Sequence, residues 1–166
     1  MCGIFGYLGP RQASPILLDG LRRLEYRGYD STGIAVKSGG IQIHKKVGKV
    51  GDLELVLPDE IPGTQGIAHT RWATHGGVTD ANAHPHESAQ QKVVIVHNGI
   101  IENTRQLRAS LIVQGVELQS DTDSEALAHI IERSPQSHRN RRQGPDHELR
   151  RLGMRSRGQR QNVDRV

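Results

Sequence analysis

The sequence predicts a mixed protein of short helices packed on β-strands, and three observations carry that prediction. Leu17, Leu21 and Leu24 recur at helical spacing behind Ser14-Pro15, the pattern of an amphipathic helix with its start signal. The β-branched stretches "STGIAV" (31–36) and "GIQIHK" (40–45) flank the turn residues Ser38-Gly39-Gly40, which reads as two strands joined by a turn. A run of Val and Ile from Val93 to Val96 ends at His97-Asn98-Gly99, as expected of a strand buried on both faces.

Taken in order, "CGIFGYL" (2–8) reads as a short strand. Ser14 is expected to cap the first helix, with Pro15 at its first position and Gly28 just past its end. After the two strands comes a loop rich in Pro and acids at 58–63, and "GIAHTRWATHGG" (66–77) begins as a strand and ends as a loop. Asn103 is placed to cap a helix that carries Leu107 and Leu111 and stops at Gly115. "VELQS" (116–120) reads as one more short strand. In "TDSEALAHIIE" (122–132), Thr122 and Glu125 have capping-box spacing, and Leu127, Ile130 and Ile131 give the apolar face.

At 166 residues, with 34% apolar and 24% charged content, the chain suits one globular domain. No apolar run approaches the ~18 residues that span a bilayer, and no charged start leads into a long apolar stretch, so neither membrane helix nor signal peptide is expected. A lone cysteine cannot build an internal disulfide framework, and the expected compartment is the cytoplasm. The net charge of +4 is unevenly spread. Residues 1–132 carry 12 Lys and Arg against 15 Asp and Glu, whereas 133–166 carry 10 Arg against 3 acids and no Lys. The excess therefore belongs to a tail poor in apolar residues, which reads as disordered. No aromatic residue is interleaved with its arginines, so nucleic acid is not an expected partner.

The one thiol stands at position 2, behind an initiator Met that is generally removed when a small side chain follows. A thiol attacks carbonyls as the thiolate and so needs a base. An N-terminal cysteine carries one on itself, because an α-amino group has a reference pKa of about 7.7 to 8.0, close to the thiol's ~8.5. The alternative is a small buried hydrophobe near a terminus.

"CGIFGY" is joined by "LEYRGYDS", "HTRWATHG", "NAHPH", "VIVHNGIIEN" and "SDTDSE". This ordered set closely resembles the glutaminase domain of the isomerising glutamine:fructose-6-phosphate aminotransferases, a branch of the class II glutamine amidotransferases within the N-terminal-nucleophile hydrolases. The resemblance covers residues 2 to about 132. It implies an α+β fold, an αββα sandwich with antiparallel sheets, here incomplete. It also implies hydrolysis of the glutamine side-chain amide, the ammonia serving in the full-length family to aminate fructose 6-phosphate to glucosamine 6-phosphate in hexosamine biosynthesis.

By the same resemblance Cys2 is the nucleophile, and Asn98 with the Gly99 N–H forms the oxyanion hole. Arg71 pairs with the α-carboxylate of L-glutamine, and Asp123 holds its α-ammonium. Trp72, Thr74 and His75 lie in the loop that covers the substrate; plain core is the other reading of Trp72. Arg27 and Asp30 line the surroundings of the nucleophile. No cofactor is implied. His84 and His86, with His69 and His75, invite a metal, but neither a second cysteine nor helical His spacing supports a closed zinc site, and none is expected. Phosphate-cradling and dinucleotide-binding glycine patterns are lacking as well.

The likeness stops beyond "AHIIERS". The family's domain continues for roughly another hundred residues, and its sugar-isomerase domains, the only route to fructose 6-phosphate, follow those. The chain therefore reads as truncated, with 2–132 the N-terminal part of the domain and 133–166 a disordered or frame-shifted tail. Translation of the neighbouring reading frames tests the latter. Such a fragment would leave half of a paired-sheet core uncovered and strand edges open to aggregation. A catalytically silent glutamine-binding module, or the inactive product of a broken gene, are the alternatives to an enzyme. The sequence does not reveal the oligomeric state.

Overall fold

The computed structural model describes residues 2–28, 30–73 and 77–134. The expected arginine-rich tail beyond Ser134, and Thr74 and His75, lie outside the described residues. The fold is α+β with antiparallel sheets. Strand β1 (Gly3–Leu8) leads into helix α1 (Ala13–Leu24) and a 3-10 turn at Glu25–Arg27. Strands β2 (Ser31–Lys37) and β3 (Ile41–Val47), helix α2 (Val50–Glu54) and strand β4 (Gln65–Arg71) follow. Short strands β5 (His86–Glu87) and β6 (Val94–Ile95) precede helices α3 (Thr104–Val113) and α4 (Asp123–Arg133).

The first sheet has the order β1-β4-β2-β3, antiparallel throughout. Because side chains alternate across a strand, its register sorts the residues into two faces. Phe5, Ala68 and Ile34 are aligned on one face, as are Tyr7, Gly66 and Val36. This face packs with Leu17 and Leu21 of α1 and with Val50 and Leu53 of α2, all at most 1% exposed, to form the main core. Each such leucine contributes roughly 1.5–3 kcal/mol through burial. The opposite face presents Ile4, His69 and Gly33 in register, and Arg71 two residues along from His69. It meets the segment leading into the second sheet, β5-β6, whose outer side carries α4. A Cβ on Gly33 would collide with the main-chain oxygen of His84 and reach Lys45 Cβ at 2.8 Å, so glycine lets the two layers approach. A smaller core of Ile101 and Leu127, with Ile95, Leu107, Ile130 and Ile131, fastens α3 and α4 to β6.

Several local expectations are corrected. The N-cap of α1 is Gln12, and Ser14 lies inside the helix, its hydroxyl donating to Ile61 O at 3.3 Å. Ala13 N donates to Gly63 O at 2.8 Å, so the neighbouring loop satisfies the first turn in place of a side-chain cap. "VELQS" forms no strand, because Gln119 N and Ser120 N donate to the Glu125 carboxylate at 2.6 and 2.8 Å. Only half of the capping box exists for the same reason: Thr122 Oγ1 accepts from Glu125 N at 3.3 Å, but the Glu125 side chain is engaged upstream. The Val93–Val96 run supplies only the two-residue β6 and is half-buried, since β5 alone pairs with it among the described residues. Asn103 does sit at the N-cap of α3, without a side-chain cap bond, and Gly115 follows its C-cap with φ +79°. Helix α2 was not expected: five residues are too few for periodicity, and its start depends on Lys49 N donating to Asp52 Oδ2 (2.8 Å) and Val50 N to Glu25 Oε1 (2.7 Å).

Candidate active site

Cys2 precedes β1 at the end of the first sheet where β4 ends in Arg71, and pairing along β1 and β4 brings the thiol beside Trp72. Cys2 Sγ lies 3.3 Å from Trp72 N, which donates to it, and 3.7 Å from Trp72 O. The thiol is partly exposed, and the Trp72 side chain is 49% exposed, so Trp72 is not a core residue. Asp30, just ahead of β2, fastens this corner. Its N–H donates to Arg71 O at 3.1 Å, and its carboxylate accepts from Ala73 N and, at 3.0 Å, from the Ser31 hydroxyl. Arg27 is half-buried at the end of the 3-10 turn.

Asn98 arrives from the second sheet. Its side-chain Nδ2 donates to Cys2 O at 3.2 Å. The turn that carries it is tied at both ends to the start of α4: His97 Nδ1 meets Ser124 Oγ at 3.2 Å, and Ile101 N donates to Asp123 Oδ2 at 2.8 Å. Ser124 Oγ also donates to Asp123 Oδ1 at 3.1 Å. Gly99, in that turn, is exposed, and a Cβ there would stand 2.9 Å from His97 Nε2. The strand-to-helix turn is therefore fixed by Asp123 and Ser124, two residues whose N-terminal position on α4 also suits acceptors for backbone N–H groups.

Arg71 is 5% exposed, and its Nη1 donates to Gly77 O at 3.2 Å. Between the sheets, His69 stacks on His84 with ring centroids 4.3 Å apart, and His84 meets His86 edge-on at 4.6 Å. His84 Nδ1 accepts from His97 N at 3.4 Å, and His86 Nε2 lies 3.0 Å from Thr122 Oγ1. Burial, reinforced by the neighbouring Arg71 and His97 charges, lowers His69 to about 3. Burial, then Lys45 and Arg71, lowers His86 to about 3. His84 is pushed down as well, by burial and then by His69 and His86. These rings are neutral packing groups at physiological pH. Among the described residues, no group of three His, Cys, Asp or Glu is placed to hold a metal ion.

The structure thus joins Cys2, Trp72 and Asn98 by direct contact, places Asp30 behind them, and ties Asp123 to the Asn98 turn. Sequence reasoning assigned no role to His97, Ser124 or Asn82. Asn82 was visible only as the first residue of "NAHPH", with no spacing to reveal its partners.

Cys2 thus stands at the edge strand of one antiparallel sheet, in a fold that layers helices, two sheets and a helix. Residues 60–145 match the family described as glutamine amidotransferase domain, and the chain belongs to that family. Within it, the chain is 55% identical over 134 residues to the glutamine–fructose-6-phosphate aminotransferase (isomerizing) of Pyrococcus horikoshii, covering 80% of this chain and 22% of that protein. It is 53% identical over 137 residues to the enzyme of the same name from Chlorobaculum tepidum, with the same coverage. The chain therefore spans about a fifth of the length of these curated relatives. Among solved structures, it is similar to the glutamine phosphoribosylpyrophosphate amidotransferase of B. subtilis. The TM-score is 0.71 at 27% identity, over 92% of this chain and 33% of that one. The allosteric regulatory enzyme of purine biosynthesis matches comparably, at TM-score 0.70 and 28% identity.

Proposed function

We propose that this chain, once Met1 is removed, hydrolyses the side-chain amide of L-glutamine to glutamate and ammonia through Cys2. The observation that carries the reading is the contact between Asn98 Nδ2 and Cys2 O at 3.2 Å, which brings a side-chain amide donor to the residue bearing the thiol. The Cys2 α-amino group takes the thiol proton, and the sulfur attacks the amide carbon. Negative charge collects on the carbonyl oxygen, where the Asn98 amide and the Gly99 N–H are the donors. The α-ammonium then protonates the amide nitrogen, the C–N bond breaks and ammonia leaves; water hydrolyses the remaining thioester to glutamate and frees the thiol.

Arg71 holds the substrate's α-carboxylate, a task suited to a planar two-pronged donor, and Asp123 its α-ammonium. Trp72, Thr74 and His75 cover the substrate, while Arg27 and Asp30 support the nucleophile's corner. Residues 2–132 constitute the amidotransferase part and 133–166 a following arginine-rich tail. The ammonia serves amination of fructose 6-phosphate in the cytoplasm, a step for which this chain alone carries no sugar-isomerase part. The deciding experiment measures glutamate release from L-glutamine by Met-processed chain and by Cys2→Ala. Release by the first and none by the second is expected; equal rates, or Met1 still attached to active material, would overturn the reading.

A further inference from the structure

Asn82, the first residue of "NAHPH", is 1% exposed, and its amide is engaged on both sides. Nδ2 donates to Gly77 O at 3.0 Å, the oxygen that also accepts from Arg71 Nη1 at 3.2 Å. Oδ1 accepts from Asp121 N at 2.8 Å, and Nδ2 is also within 3.4 Å of Asp121 Oδ2. Asn82 N in turn donates to Thr79 Oγ1 at 3.2 Å. One short side chain therefore links the partner of Arg71 to the backbone two residues ahead of Asp123. Asp123 itself fixes Ile101 N, so the connection runs from Arg71 through Gly77, Asn82 and Asp121 to the start of α4.

We propose that Asn82 is a positioning residue that sets the span between Arg71 and Asp123, and so selects ligands bearing both a free α-carboxylate and an α-ammonium. The proposal rests on the reading of those two residues as the anchors of glutamine. A buried amide with its donor and acceptor both used is a rigid spacer, because shifting either wall strands a polar group away from water.

The test titrates the full chain through fluorescence of Trp72, its only tryptophan, with three ligands. L-glutamine uses both anchors; glutaramate lacks the α-ammonium, and 4-aminobutanamide lacks the α-carboxylate. Asn82→Asp keeps an acceptor for Asp121 N but turns an oxygen toward Gly77 O, which cuts the strut on one side. It should weaken L-glutamine about tenfold or more while leaving the two single-anchor ligands within about twofold. Equal weakening of all three would mean a general structural role, and unchanged L-glutamine affinity would mean none; either overturns the proposal. Wild-type chain that does not bind L-glutamine removes the glutamine reading itself, and the strut with it. Where circular dichroism shows Asn82→Asp unfolded, Thr79→Val decides. It removes the acceptor for Asn82 N at an exposed residue and should give the same ligand pattern at smaller size; an unchanged pattern overturns the proposal.

Discussion

Asn98 and Cys2, 96 positions apart in sequence, are joined by a hydrogen bond of 3.2 Å from the Asn98 side chain to the Cys2 carbonyl. The bond crosses from the second sheet to the first, so the corner holding the thiol depends on both layers. On the proposed mechanism, truncating Asn98 to Ala removes one donor from the site of charge development. We expect the rate of glutamate release to fall by about 10²–10³, equivalent to about 2.7–4 kcal/mol of transition-state stabilisation, with L-glutamine affinity little changed. Steady-state kinetics and a direct binding titration together check this.

Arg71→Lys retains the charge and discards the two-pronged geometry. KM for L-glutamine should rise by about tenfold or more, and kcat should change far less. A matched loss in kcat alone would argue against a substrate-anchoring role.

Asp30→Asn tests the support of the Trp72 segment. The Asp30 carboxylate accepts from Ala73 N and the Ser31 hydroxyl, and an amide in its place sets an N–H against one of those donors. A loss of about 1–3 kcal/mol is expected, measurable as a lower urea midpoint at unchanged slope.

The three clustered imidazoles predict a pH dependence. His69 and His86 are held near 3, and His84 also falls below the ordinary value of 6.5, so the folded state keeps them neutral while the unfolded chain protonates below about pH 6.5. The unfolded state then binds more protons, and stability must fall as pH drops from about 6.5 toward 3. Each ring contributes at most about 1.4 kcal/mol per pH unit. Urea unfolding at pH 7.5 and pH 5 should show the decline, and replacing His84 by Gln should flatten it.

Gly33→Ala places a methyl group against the His84 carbonyl. Backbone on the far side cannot rotate away, so the layers must separate, at a cost of about 1–3 kcal/mol. Thermal unfolding of the variant measures it.

Local pattern made much of the first sheet legible. The β-branched stretches "STGIAV" and "GIQIHK" on either side of a glycine turn match β2 and β3, and Leu17 and Leu21 face the core as helical spacing requires. What escaped was decided by partners distant in sequence. Ser14 looked like a cap because nothing nearby told of Ile61 and Gly63, and residues 116–120 looked like a strand because the competing acceptor, Glu125, belongs to a helix. Motif likeness proposed Cys2, Arg71, Asn98 and Asp123 as site residues, yet their contacts were hidden. Asp123 meets Ile101 N through a turn rather than any regular spacing.

The fastening at His97 carries one more consequence. Ser124 has a single hydroxyl proton, and Asp123 receives it, so the His97 ring is the donor at Nδ1, while its Nε2 edge faces Gly99. Positions 97 and 99 are therefore interlocked: any side chain introduced at 99 swings the imidazole, and the latch on the helix opens with it.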